Sequence, residues 1–379
     1  MRFVVFALVA VGCGFQASPP KVVADGAVGD GAVDAPDAPP DLQRIDGVVG
    51  SAYKKVFTTD PTKVAGDLTD FPVWVKLAAD NDLALHADLG DIYFTLANGT
   101  PLEWQLQRWN KATGDLEAWV RLDLADTTPT TWEIRYGDPG PVHASNALLT
   151  FSSSFAAVWH MEDALGGATT VADALGQRMG VAVGGPTSTA GKLGRGIAFD
   201  GNDDRVTFTN PLSGNTASTI SAWVDVIAPI NGFSSVMTVG NPAAGQSRFL
   251  HTKYPNLAVG LYGNDLQTQT NLDNVGPKLV TWVYDPNGMN GVTTLYVDGV
   301  QVATHNHGGT VNTTGTMGFL AYALQAFGPG GNTPNPLRGT LDEVRIATTD
   351  RSRQWVETEF ANQSDPLTFA TVSAELPLP

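Results

Sequence analysis

The chain has one cysteine, Cys13, in 379 residues, so no internal disulfide can brace its fold. A lone thiol is also a poor start for a structural zinc site. Basic residues are scarce: 22 Lys and Arg stand against 38 Asp and Glu, for a formal charge of −16. A surface of that sign repels phosphate backbones and argues against nucleic acid as a partner. Long apolar runs are missing as well. The most continuous one, 3–11, holds nine residues, against the ~20 that a membrane-crossing helix needs. Glycine (41) and proline (24) are plentiful, while charged residues make up only 16% of the chain. Many short strands joined by tight turns produce that profile, and the length admits two or three packed domains.

The amino terminus has the format of an export signal. Arg2 precedes the apolar run, and small residues follow where a leader is cleaved. The segment AVGC, 10–13, resembles a bacterial lipobox. That resemblance implies a signal peptide and lipobox over 1–13, with cleavage just before Cys13 and lipidation of that cysteine as the mature amino terminus. The acyl chains would anchor the protein through about 0.8 kcal/mol per buried methylene. Gly14, in place of Asp, leans the destination towards the outer membrane or cell surface. Residues 14–49 are rich in Ala, Asp, Pro and Gly. Such a stretch buries too little apolar surface to offset its ordering entropy, and it reads as a disordered tether.

Alternation begins near residue 50. Strands are expected at 52–59, 72–78, 91–96, 102–109, 116–124 and 131–137, with Asn98-Gly99 and Thr113-Gly114-Asp115 as turns. A small antiparallel β-sandwich over 50–140 follows. VAGDLTDFPVWVKL, GDIYFTLANGTPLEWQLQRWN, LEAWVRLDL and IRYGDP, in that order, resemble the bacterial domain of unknown function DUF2341. The resemblance implies an exported, multidomain surface protein and carries no established chemistry. Trp74, Trp109 and Trp119 fall on the polar phase of their strands. Exposed there, they would stack on sugar rings; covered by a second sheet or the next domain, they would be core.

Residues 151–379 carry VWHMEDALGG, GKLGRGIAFDGNDDRVTF, STISAWVDV, LVTWVYD, TTLYVDGVQVAT and RGTLDEVRIATTDRSRQWVETEF. In that order they resemble laminin-G-like, concanavalin A-like jelly rolls. The whole chain is therefore expected to be all-β, a small sandwich followed by a jelly roll, with a short helix at the end.

Enzymes of this broad fold carry carboxylates in an E-x-D-x-(x)-E strand pattern, which this chain lacks. Glu357 and Glu359 in VETEF fall in the expected terminal helix. In LDEVR, adjacent residues point to opposite faces. His305 and His307 offer two metal ligands without a clear third. The fold resemblance implies a structural calcium, with Asp342 as the late-strand ligand and Glu162 and Asp163 as opening-segment ligands. Asp200, Asn202, Asp203 and Asp204 have calcium-like spacing, but a turn feeding a strand accounts for them better than an EF-hand loop does. The functional expectation is a lipid-anchored, non-catalytic envelope protein whose jelly roll binds a glycan. The alternatives are an envelope scaffold or adhesion protein that binds other proteins, and a polysaccharide-active glycosidase or lyase.

Overall fold

The computed structural model describes residues 52–137, 143–151, 154–167, 169–227, 232–287, 291–307, 311–323 and 334–378. The leader with Cys13 and the tether 14–49 lie outside the described residues. Among the described residues, no helix is long and apolar enough to cross a membrane.

The fold is all-β. The first sandwich pairs two antiparallel sheets. One runs Ala370–Val372, Tyr53–Thr59, Thr131–Tyr136, Tyr93–Leu96, with Leu376–Pro377 also on the first strand. The other runs Leu68–Leu77, Asp115–Leu124, Trp104–Asn110. The jelly roll stacks two eight-stranded sheets. Its front sheet is Leu266–Asn271, Asn256–Gly260, Ser247–Lys253, Phe233–Gly240, Met317–Leu320, Arg205–Thr209, Gly180–Val183 and Thr170–Val171. Its back sheet includes Arg195–Asp200, Arg338–Ala347, Ser218–Val226 and Lys278–Asp285, with Phe155–Trp159 pairing on Arg338–Ala347. The expected Asp298-Gly299 hairpin is present. Both residues have positive φ, 52° and 75°, as a two-residue turn matched to strand twist requires.

Residues 49–379 form one unit, and the reason is a shared core. Phe71, Trp74, Trp119 and Trp132 of the first sandwich cluster with Phe155, Val158, Trp223, Leu279 and Trp355 from beyond residue 150. The three-stranded sheet is covered on both faces at its middle, which is why two of its polar-phase tryptophans, Trp74 and Trp119, are buried. The helix Arg353–Ser364, expected from sequence, lies between the sandwiches. Trp355 packs on Phe71 at 4.8 Å, and Gln363 accepts a 2.7 Å bond from the Trp223 indole. The expectation that 151–379 is jelly roll throughout is corrected at its end. Ala370–Val372 and Leu376–Pro377 pair with Tyr53–Thr59 and complete the first sandwich instead.

Candidate functional site: a cleft between the two sandwiches

Two β-bulges face each other across the interface. On the jelly-roll side, Ser221 pairs with Arg345 while Trp223 pairs with Asp342, so the strand Arg338–Ala347 carries one extra residue there. Glu343 in the bulge takes a left-handed φ of 47°. A bulge re-aims side chains that plain alternation would keep apart. It turns Glu343 onto His160, whose Nδ1 lies 2.9 Å from the carboxylate, and it sends Asp342 to the loop 191–195. Met161, next to His160, also has a positive φ, 60°. Non-glycine residues in that region are uncommon and gather at functional sites.

On the first-sandwich side, the register shifts between Leu106 and Arg108, leaving Gln107 as the extra residue. Its Oε1 accepts the Trp119 indole N–H at 2.6 Å, and its Nε2 donates to Glu162 Oε1 at 3.0 Å. Gln105 Oε1 lies 3.1 Å from His160 Nε2. Trp119 stacks on His160, and the Arg345 guanidinium lies 4.1 Å from the centroid of the same indole ring. Behind them Arg345 joins Glu343 at 2.9 Å and Glu359 at 3.2 Å, all three buried.

Above this network opens a cleft of about 240 Å³, lined by Gln105, Gln107, His160, Glu162, Asp163 and the apolar Leu106, with Met161 and two alanines completing the wall. Burial raises the Asp163 carboxyl, although both its oxygens accept the Ala172 N–H at 3.1 Å. Burial also raises Asp342 well above the ordinary carboxylate range, and the charge of Glu343 adds to the effect. Glu343 itself, against the penalty of burial, is held below its usual value by His160 and Arg345. Burial pushes Glu359 up.

The sequence-derived candidates fare unevenly. Trp74 and Trp119 are 2% and 0% exposed, so neither offers a stacking platform; the jelly roll and its helix cover the face on which they lie. Trp109 is half-buried against the same core and lies off the cleft. Glu162 and Asp163 both line the cleft, but they and Asp342 do not converge as a three-carboxylate calcium set. Backbone N–H groups hold each one: Leu193 donates to Asp342 at 2.7 Å, Arg195 to Glu162 at 2.9 Å, and Ala172 to Asp163. Among the described residues, the acidic group that does converge is Asp200, Asp203 and Asp204, with ligand atoms within 4.8 Å of one another. There Asp200 accepts from the Asn202 backbone and amide at 2.8 Å, and Asp204 accepts from the Asp200 N–H at 2.9 Å, which makes the segment a turn. His305 bonds Asn264 through Nε2, and His307 spends both ring nitrogens, on Thr293 and Asn264. His160, Gln105 and Gln107 are the site residues that sequence reasoning missed. Their only signal was position, on either side of residues already singled out.

Residues 88–159 match DUF2341, a domain of unknown function, and residues 200–357 match the concanavalin A-like lectin/glucanases superfamily. The first match reaches across the cleft to the jelly-roll strand Phe155–Trp159. Among solved structures, the chain is similar to the binding domain of Paraclostridial Mosquitocidal Protein 1 (13% identity, TM-score 0.43, covering 55% of this chain and 52% of that one). It is also similar to the botulinum neurotoxin serotype D binding domain (12%, 0.42, covering 57% and 53%). A third is domain 4 of AbnA, an extracellular arabinanase from Geobacillus stearothermophilus, in complex with arabinotriose (16%, 0.41, covering 55% and 98%). The chain spans about half the length of the first two. No curated protein matches it. In chain order, then, the protein carries a DUF2341 domain followed by a concanavalin A-like, laminin-G-type jelly roll.

Proposed function

We propose that this protein is exported, lipid-anchored through Cys13, and binds a glycan in the cleft between its two sandwiches without acting on it chemically. The observation that carries the binding part is the cleft lining. Two side-chain amides, an imidazole and two carboxylates converge beside an apolar Leu106, at a junction between domains where ligand sites tend to form. Sugars need such alternating donors and acceptors over a patch of apolar surface. The cleft is smaller than the ~300 Å³ at the low end of drug-sized sites. It suits a single or terminal sugar residue rather than a chain gripped along its length.

The non-catalytic part is supported by how the nearby carboxylates are used. Asp163 and Asp342 are each bonded to backbone N–H groups, and the strand carboxylate pattern of the fold's glycan-cleaving enzymes is absent. The anchor is supported by the lipobox resemblance and the acidic, proline-rich spacer behind it. A glycan array followed by titration calorimetry on the full chain tests the first part. Binding to no polysaccharide or cell-wall fraction sinks it. Mass spectrometry of the mature amino terminus tests the anchor, and an unmodified Cys13 ends that reading.

One observation favours a second reading, a glycan-active enzyme. His160 faces the cleft with Nδ1 fixed by a buried carboxylate, the geometry of an oriented general base. Turnover of a labelled polysaccharide that is lost in His160→Gln would replace the binding reading with this one.

A further inference from the structure

The cleft has a sign. Its charged lining residues are Glu162 and Asp163, and no lysine or arginine is among the residues that line it. The Arg345 guanidinium is committed elsewhere, bonded to Glu343 and Glu359 behind Trp119. Arg195 reaches Glu162 through its backbone N–H, and it lines the neighbouring pocket with Ala164 and Ser188. His160 faces the carboxylate of Glu343.

A third carboxylate sits beneath. Glu117, on the strand Asp115–Leu124, is 4% exposed and pairs through Oε1 with Lys76 at 3.1 Å. Its Oε2 is buried with no hydrogen-bond partner. That oxygen reaches the same point as Glu162. A methyl group placed on Gly194, which has a φ of +68°, would lie 2.1 Å from Glu162 Oε1 and 3.3 Å from Glu117 Oε2. Only a glycine leaves room for the two to approach. Glu162 Oε1 is filled by Gln107 and Arg195, whereas its Oε2 accepts no bond from the described residues.

An anionic sugar meets only like charge here. A neutral sugar gains ordinary hydrogen bonds. A ligand with a positive charge gains a charge-assisted bond, roughly twice as strong as a neutral one. We infer that the cleft selects a sugar carrying a free amino group, with its ammonium on Glu162 and its hydroxyls on Gln105 and Gln107. This rests on the glycan reading of the same cleft and narrows it to amino sugars.

The test is titration calorimetry of the full chain in detergent with three probes: glucosamine oligomers, their N-acetylated counterparts and oligogalacturonate. The expected result is binding of the free-amine form roughly tenfold tighter than the acetylated form, about 1.4 kcal/mol, and no binding of the uronate. Glu162→Gln keeps Oε1 for its two donors, so the melting temperature should hold while the preference for the amine collapses. Equal or tighter binding of the acetylated form overturns the inference and leaves the glycan reading standing. So does spermidine competing as well as the amino sugar, since charge alone would then suffice. Binding of none of the sugars removes both.

Discussion

The side chain of Asn362 bonds to both main-chain groups of Trp74: its Oδ1 accepts the Trp74 N–H at 2.7 Å, and its Nδ2 donates to the Trp74 carbonyl at 3.0 Å. An amide from the jelly roll's terminal helix thus takes the place of a neighbouring strand at the free edge of Leu68–Leu77. Edge strands expose unpaired backbone groups, and here one residue satisfies a pair of them 288 positions away in sequence.

Asn362→Leu should therefore cost more than a surface change. Two buried backbone groups lose their partner, at about 1–3 kcal/mol each. Denaturant unfolding should show a lower midpoint and, because the cores are joined, still a single transition. Two separated transitions would mean that the sandwiches are independent.

Trp119→Ala is predicted to act on stability before ligand. The indole is fully buried between His160, Phe151 and Arg345, and large-to-small changes at such sites cost roughly 3–5 kcal/mol. Thermal melts with and without sugar check this. A variant of unchanged stability with lost binding would return Trp119 to the role of an exposed platform.

Asp342→Asn should stabilise the protein at neutral pH in chelator. The carboxyl's folded-state pKa is raised, so its stabilising contribution is full below the unfolded value and is lost as pH rises through the folded one. Asparagine keeps an oxygen for the Leu193 N–H and has no such dependence. The gap in melting temperature should widen as pH rises through the folded value and close below the unfolded one, at about pH 4. A calcium ion on Asp342 gives the opposite pattern, in which chelation destabilises the wild type and the variant is both weaker and indifferent to chelator.

Truncation after Ser364 removes Phe369, which is fully buried, and the strands Ala370–Val372 and Leu376–Pro377. Hydrogen exchange should speed up across Tyr53–Thr59 and Thr131–Tyr136 while the jelly-roll interior stays protected. Unchanged protection of Tyr53–Thr59 would show that the tail is dispensable.

What could be read in the sequence was local. The turns at Asn98-Gly99 and Asp298-Gly299 and the strands around them follow from two or three adjacent residues. The E-x-D-x-(x)-E pattern is likewise a matter of neighbours. The site was legible in part, because the jelly-roll resemblance drew attention to Glu162 and Asp163 as opening-segment ligands. Alternation alone left two places open for the tryptophans, exposed platform or covered core, and the structure covers Trp74 and Trp119. Period-two alternation assumes one wet face, whereas the sheet bearing Trp74 and Trp119 has none. The two bulges at Glu343 and Gln107 were invisible, since a single extra residue reverses the facing of its neighbours without altering composition. The pairing of residue 57 with residue 372 has no local signature at all.

That last pairing orders events in time. Tyr53–Thr59 is the earliest described strand to leave the ribosome, and Ala370–Val372 and Leu376–Pro377 are among the latest. The first sandwich cannot close until residue 377 has been made, so its leading strand waits without that partner while the whole jelly roll emerges.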